Sequence, residues 1–221
     1  MSTSTSTGPM ADVSDMYVVH RVFRREFTLI PRLVREVPQG DIVRAHVVAE
    51  HLRLVVAGLH MHHTGEDELL WPLLLERAAP SAELIHTMQA QHARVDDYAE
   101  RLEPLVTDWE SSGAAVRAEQ VARLVDEFWA ALLEHLELEE REVLPLASRH
   151  VTEAEWEQLG KHGSHQMRRD QLPLMFGALL EETDEDERAM MLAKQPLPIR
   201  LLLKWVGLRQ YRRYITRVRH G

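Results

Sequence analysis

Histidines and glutamates interrupt the apolar stripes of this 221-residue chain at six places, and both residue types are common metal ligands. They are His20, His62, Glu66, His92, His135 and Glu139. His62 and Glu66 are four residues apart, which would place them one turn apart on one helix face. Burying imidazoles and carboxylates in a core is unfavourable unless they are paired or bind a metal. This donor set suits iron, manganese or zinc, and two bridging carboxylates would suit a dinuclear centre.

The candidate ligands belong to an internal repeat. His62 and Glu66 recur as His135 and Glu139 at one constant offset along the chain, and His20 recurs as His92 at an offset one position shorter. The strings HHTGEDELLWPLL, from residue 62, and HLELEEREVLPLA, from residue 135, align without a gap. Two copies of a helix pair, each providing one His and one His-x-x-x-Glu, would build a site with approximate two-fold symmetry.

Four long segments carry these residues, and in each the apolar residues are spaced alternately three and four apart. This spacing is typical of amphipathic helices. Breaks separate the segments at Pro38–Asp41, Ala79–Ser81, Ser111–Gly113 and Val151–Thr152. Four such helices joined by short loops bury their stripes most simply as a bundle. We therefore predict an all-α fold, with an antiparallel up-down-up-down four-helix bundle over residues 12–150.

The two ends of the chain have a different composition. Residues 1–11 are small and polar, which predicts a disordered tail. Residues 151–221 are predicted to form a helical C-terminal extension with a basic tail. Thr152 followed by Glu155 is typical of a capping box that begins the first helix of this extension.

The stretch from Arg200 to Gly221 holds seven Lys or Arg and no acidic residue. We expect this basic stretch to dock onto the bundle or onto a second subunit. The acidic run Glu181–Glu187 is its expected internal counterpart. The apolar residues predicted to dock are Leu202, Trp205, Leu208, Tyr211 and Ile215. The alternative is that the stretch binds an anionic lipid surface or nucleic acid.

The composition excludes several other kinds of protein. The absence of cysteine excludes disulfides, thiolate zinc sites, iron–sulfur clusters and cysteine nucleophiles. The net charge of −9 argues against nucleic-acid binding. No apolar run approaches the roughly 20 residues that span a bilayer, and the N-terminus does not resemble a signal peptide. We therefore expect a cytoplasmic protein that binds neither nucleic acid nor membranes.

The order His…His-x-x-x-Glu…His…His-x-x-x-Glu resembles the hemerythrin-like (HHE cation-binding) family over about residues 14–150. The resemblance implies an up-down-up-down four-helix bundle that holds a non-haem di-iron centre. It implies four terminal ligands, His20, His62, His92 and His135, and two carboxylates that bridge or flank the irons, Glu66 and Glu139. Zinc and manganese are less expected. Ferritin-like bundles instead use Glu-x-x-His, which does not occur at matching places.

The sequence departs from the oxygen-carrying members of that family at one position. Those members have a fifth histidine one turn from the first on the third helix, whereas Met88 and Asp96 flank His92 here. Three side chains, or water, are candidates to complete the shell: Asp96, His63 and His86. Because His63 and Asp67 are also four residues apart, a ligand set shifted by one residue is a further alternative. The altered shell favours peroxide, nitric oxide or iron-sensing chemistry over reversible oxygen carriage.

The resemblance thus implies a protein that binds or reacts with a small oxidant or diatomic, O2, H2O2 or NO, in the response to oxidative or nitrosative stress. Turnover of peroxide or NO by such a centre is an open question. The alternative is an iron- or oxygen-sensing or regulatory module without turnover. Association into a homo-oligomer through the C-terminal extension is a further expectation.

Overall fold

The computed structural model describes residues 8–78, 81–194, 197, 200 and 203–221, with the backbone alone described at residues 163–166 and 204. The described residues are almost entirely helical, so the predicted all-α class is confirmed. The first part of the chain forms α1 (Ser14–Arg35), α2 (Ile42–Gly65), the π-helical segment π1 (Glu66–Leu70), α3 (Trp71–Arg77), α4 (Ala82–Ser112), α5 (Ala115–Leu138), the π-helical segment π2 (Glu139–Val143) and α6 (Leu144–His150).

Two glycines allow the α1–α2 and α4–α5 connections to meet at one end of these helices. Gly40 and Gly113 have φ angles of 81° and 58°, in the left-handed region that favours glycine. The Gly40 N–H donates to the Gly113 carbonyl at 2.8 Å. A Cβ atom on Gly113 would lie 2.9 Å from the Gly40 carbonyl carbon, so only glycine fits this contact. α2 then begins at Ile42. Asp41 caps its N-terminus, because the Asp41 side chain accepts from the Arg44 N–H.

The four long helices pack in a closed ring, which with α3, α6, π1 and π2 we call the bundle. α1 contacts α2 and α5, and α4 also contacts α2 and α5. The larger of two apolar clusters includes Phe27, Trp109 and Phe128, all fully buried. The smaller cluster includes Trp71 and Leu144. Burial of each such side chain contributes about 1.5–3 kcal/mol. The histidine positions separate the two clusters along α1 and α4, and the smaller cluster continues from α2 and α5 only in π1, α3, π2 and α6. The bundle therefore holds a polar layer between two apolar ones.

The C-terminal extension consists of α7 (Glu153–Gln166), α8 (Leu172–Glu182), α9 (Glu185–Ala193), the π-helical segment π3 (Leu203–Gly207) and α10 (Leu208–His220). Thr152 and Glu155 form the predicted capping box at the start of α7. Within the residues described, no helix combines the length and the apolar character needed to cross a membrane.

The prediction of a disordered tail over residues 1–11 is wrong for residues 8–11. The Ala11 N–H donates to the Val151 carbonyl at 3.0 Å, and the Pro9 carbonyl accepts from the Glu153 N–H at 2.9 Å. These backbone hydrogen bonds hold residues 8–11 beside the start of α7. Residues 1–7 lie outside the described residues.

The inner face of α10 docks onto α8 and the bundle. This is the first of the two docking modes that the sequence leads us to expect. Tyr211 and Ile215 are buried, whereas Trp205 is 73% exposed and so does not dock onto the bundle. Leu208 is half-buried, and Leu202 lies outside the described residues. A Cβ atom on Gly177 of α8 would lie 2.3 Å from Tyr211 Cγ, which shows how closely the two helices approach.

A buried polar cluster joins α10 to the bundle. Glu26 of α1 is 2% exposed, and its Oε2 atom accepts from His51 Nε2 at 3.0 Å. Its Oε1 atom lies 2.7 Å from Arg25 Nη2 and 3.3 Å from Arg219 Nη2. Arg219 also pairs with Glu181 at 2.8 Å, so the predicted acidic counterpart does contact the basic stretch. The cluster therefore fixes α10 with charge-assisted hydrogen bonds.

Candidate metal centre

Each His-x-x-x-Glu pair ends in a widened helical turn. In π1 the Trp71 N–H donates to the Glu66 carbonyl, five residues back instead of four. Pro72 follows, and a proline lacks an N–H and crowds the carbonyl four residues before it, which disfavours an ordinary α-turn. The repeat has the same turn in π2, where the Leu144 N–H donates to the Glu139 carbonyl. Single π-turns within α-helices are frequent at functional sites, because they re-aim side chains.

The structure brings all six predicted ligands together in the polar layer, with His63 as a seventh member. Five of the six are buried, and the His62 side chain is 10% exposed. The side chains form two groups, within each of which the candidate ligand atoms lie within 4.8 Å of one another. The four-residue group is His63, Glu66, His92 and His135, and the three-residue group is His20, His62 and Glu139.

The two carboxylates lie between the groups. Glu66 Oε1 is 3.3 Å from His62 Nε2, in the three-residue group, and Glu66 Oε2 is 3.4 Å from His92 Nε2, in the four-residue group. Glu139 Oε2 likewise contacts one imidazole of each group, at 3.3 and 3.6 Å. A carboxylate that bridges two metal ions would need to lie between the groups in this way. Glu66 and Glu139 share this placement because they are equivalent residues of the repeat.

The side-chain atoms that could bind a metal are buried and have no hydrogen-bond partner. They are Nε2 of His20, His62, His92 and His135, both ring nitrogens of His63, and both carboxylate oxygens of Glu66 and Glu139. A buried polar atom that lacks a partner destabilises a fold by about 1–3 kcal/mol. Cations placed among these atoms would satisfy the four Nε2 atoms, the carboxylate oxygens and one ring nitrogen of His63, whose other ring nitrogen carries the N–H of a neutral imidazole. The residues present therefore fit a pair of metal ions, and the nitrogen–oxygen donor set suits iron, manganese or zinc.

Burial keeps three of the imidazoles neutral. It lowers the pKa of His62 to about 3, with the nearby charge of His20 acting in the same direction. Burial also lowers the pKa of His135 to about 3 and that of His63 well below its usual value. His20 and His92 differ. Burial lowers their pKa, but Glu139 and Glu140 beside His20, and Asp67 and Glu66 beside His92, outweigh it and raise each pKa to about 9. Neutral imidazoles carry the free lone pair that metal binding requires, and a bound cation would displace the proton between His20 and Glu139.

Carboxylates behind the cluster orient two of the histidines. His20 Nδ1 donates to Glu140 at 2.9 Å, and His92 Nδ1 donates to Asp67 at 3.0 Å. Arg24 donates to the second oxygen of Glu140 at 3.0 Å. Asp67 and Glu140 occupy equivalent positions in the two halves of the repeat, so each half orients a histidine of the other half. These hydrogen bonds fix the tautomer that leaves Nε2 facing the cluster.

Replacing these orienting carboxylates tests the arrangement without removing a candidate ligand. We expect Glu140→Gln and Asp67→Asn each to weaken metal affinity by about 10- to 100-fold, because the imidazole loses its fixed tautomer and some basicity. The number of ions bound at saturation stays unchanged. Chelator competition measures the affinity, and Glu142→Gln, at a side chain 51% exposed, is the matched control. Equal affinities in all three variants would contradict the orienting role.

The sequence presents His63 only as one of several candidates to complete the shell, or as part of a shifted ligand set. The structure places His62 and His63 in different groups. Asp67 lies behind the cluster, on His92 Nδ1, so His63 joins the first set of candidates without its partner in the shifted set. The ring of His63 stacks on that of His92, with centroids 4.0 Å apart. The spacing of Val55, Leu59 and His63 already follows the helical period, which is the signal that indicates a second inward-facing histidine.

The other two candidates for the shell lie outside the cluster. His86 is exposed and contacts Gln89 at 3.2 Å, on the surface of α4. The Asp96 side chain is 46% exposed and lies 3.4 Å from His60. The counterpart of His63 in the second half of the repeat is Leu136, which is fully buried. The fifth imidazole therefore breaks the two-fold symmetry and makes the two groups unequal.

Apolar side chains and the extension enclose the cluster. The Phe23 ring lies 5.4 Å from that of His62, and the Trp71 ring lies 5.7 Å from that of His92. Leu159 of α7 packs so closely on Gly65 that a Cβ atom there would be 3.1 Å away. The extension thus contacts the helix turn that carries one of the two carboxylates.

Comparison with known proteins gives the same family as the residue pattern. Residues 11–147 match the family model described as the hemerythrin HHE cation-binding domain. No curated protein and no solved structure shows a significant match. The matched region spans more than half of the chain and includes every member of the two groups. The chain therefore belongs to the hemerythrin HHE cation-binding family.

Proposed function

We propose that the cluster is a non-haem di-iron centre that binds or reacts with O2, H2O2 or NO. The observation that carries this proposal is the convergence of buried, partnerless ligand atoms into two groups with two carboxylates between them. The ring of helix contacts and the meeting of the two connections support an antiparallel up-down-up-down bundle around it. A pair of iron ions bound there would supply open coordination positions and the electrons needed to bind or reduce such small molecules.

The inequality of the two groups indicates where a small ligand would enter. His20, His62 and Glu139 offer one side chain fewer than the other group, so they leave more room for an external ligand. Phe23 borders His62 on this side, and the His62 side chain, at 10%, is the most exposed of the six. These apolar surroundings restrict access to small molecules.

Metal content together with an optical spectrum tests the proposal. The full chain is purified in air after growth with added iron, and again after anaerobic reduction. We expect about two irons per chain, with charge-transfer bands that change on addition of O2, H2O2 or NO. Zinc alone, or no metal after iron-supplemented growth, would overturn the di-iron assignment. Repeated consumption of peroxide or NO would indicate an enzyme, and a single stoichiometric change would indicate a binding protein.

A sensing role without turnover is the second candidate, and the contact between the extension and π1 favours it. α7 packs against α2 and π1, and His162 lies 3.5 Å from Glu68. Movement of π1 on metal binding would therefore alter its contact with α7. Limited proteolysis of residues 195–221, with and without bound metal and in both redox states, tests this role. Identical cleavage in all states would contradict it.

A further inference from the structure

The outer face of α10 is a strongly basic surface. Arg209, Arg212, Arg213 and Arg217 are all exposed, on the side of the helix opposite its buried residues. In the described part of the chain no carboxylate lies within ion-pair distance of any of the four. Arg219, on the inner side, instead pairs with Glu181 and Glu26. Acidic residues of the same chain therefore pair with the inner face of α10. The positive charge of the outer face has no ion-pair partner among the described residues.

Two large apolar side chains extend this surface. Trp205 and Val206 lie just before α10 and are 73% and 53% exposed. Exposed apolar side chains bordered by charge are typical of interaction sites. Tryptophan in particular is enriched at the water–membrane interface, where its ring contacts the acyl boundary and its N–H stays hydrated. Arginine side chains beside it can bind lipid phosphates while their methylene stems contact apolar surface.

The distribution of charge favours a flat anionic partner. The net charge of −9 combines +7 in the stretch from Arg200 to Gly221 with −16 in the rest of the chain. A nucleic acid that extends beyond this face would be repelled by the acidic remainder of the chain. A membrane surface would contact one face only. In addition, Val206 adds apolar area that the acyl boundary of a membrane accommodates and a phosphate backbone does not.

We propose that Trp205, Val206 and the four outer arginines of α10 form a peripheral docking surface for membranes that contain anionic phospholipids. α10 keeps its inner face docked on the bundle, so no helix has to leave the structure. The sequence alone favours docking of this stretch on the bundle or on a second subunit, and in the structure only the inner face of α10 docks on the bundle. The proposal does not depend on the metal centre.

Vesicle co-sedimentation of the full chain tests the surface. Phosphatidylcholine vesicles are compared with vesicles in which about one third of the lipid is phosphatidylglycerol, at about 0.1 M salt. We expect binding to the anionic vesicles only, with release at about 0.5 M salt, where screening is stronger. Replacing all four outer arginines with glutamine should weaken binding by about 100-fold or more. Trp205→Ala should weaken it by roughly 10-fold through lost apolar contact.

The matched control removes the same charge from the bundle surface. It combines Arg94→Gln, Arg117→Gln, Arg123→Gln and Arg141→Gln, at side chains 46–72% exposed. This control should bind the anionic vesicles as the unmodified chain does, and circular dichroism checks that every variant is folded. Equal loss in both quadruple variants, or no binding of the unmodified chain, would overturn the proposal. Binding to duplex DNA or RNA without binding to vesicles would also overturn it.

Discussion

Replacement of Glu66 by glutamine is expected to abolish binding of both metal ions. Its two oxygens lie 3.3 and 3.4 Å from imidazoles of different groups, so one substitution removes a ligand from each. Glutamine keeps the shape of the side chain and loses its charge. Without that charge, the pair of cations is left with a single carboxylate among five imidazoles. Because removing a ligand leaves buried charge uncompensated, we expect the affinity of the whole centre to collapse.

We measure this effect as the number of irons bound per chain after anaerobic reconstitution and desalting. Glu137→Gln removes the same charge from an exposed position on α5 and should retain about two irons per chain, as the unmodified chain does. If Glu66→Gln retained one iron, Glu66 would serve a single ion. If it retained two, its assignment as a ligand would be wrong.

Replacement of Glu26 by glutamine is expected to destabilise the fold by about 3 kcal/mol, because it leaves buried cationic partners without their counter-charge. Burial opposes ionisation of Glu26, but the hydrogen bond and charge of His51, together with Arg25, lower its pKa to about 2 from a usual value of 4.5. A pKa lowered by folding means that the carboxylate stabilises the fold fully above about pH 4.5. This contribution is lost as the pH falls toward 2.

The free energy of unfolding in urea, measured for the metal-free chain at about pH 6 and pH 3, tests this prediction. The difference in the free energy of unfolding between the unmodified chain and Glu26→Gln should be largest at the higher pH and smaller at the lower. Glu36→Gln, at a side chain 59% exposed, is the control and should change the free energy by less than about 1 kcal/mol. An effect of Glu26→Gln that did not vary with pH would show that lost packing, and not lost charge, is responsible.

The sequence indicated the helices and the clustering of the six residues because both depend on local spacing. Apolar steps of three and four identify a helix and its buried face, and the repeat places equivalent residues at the same height. The π-turns at Glu66 and Glu139 were not predictable in the same way. A π-turn changes the register by a single residue, and because both halves contain it, comparison of the halves does not expose it.

Two further features depend on tertiary packing as well as on spacing. His63 reaches the cluster because the buried face of α2 is wide enough at this height to accept two adjacent histidines. Trp205 shares the apolar spacing of Tyr211 and Ile215, yet it lies in π3, where the register of α10 no longer holds. Spacing therefore identified the docking face of α10 correctly but extended it too far toward the N-terminus of that helix.

The exchange of orienting carboxylates between the two halves of the repeat has a consequence for how such a centre can arise. Glu140 serves His20 of the first half, and Asp67 serves His92 of the second. A single helical hairpin would therefore contain both a histidine and an acid but could not bring its own pair together. Two identical hairpins would have to associate as a symmetric dimer before either histidine was aligned. If the chain arose by duplication of such a hairpin, the ancestral hairpin would have needed a second copy of itself to align its histidine.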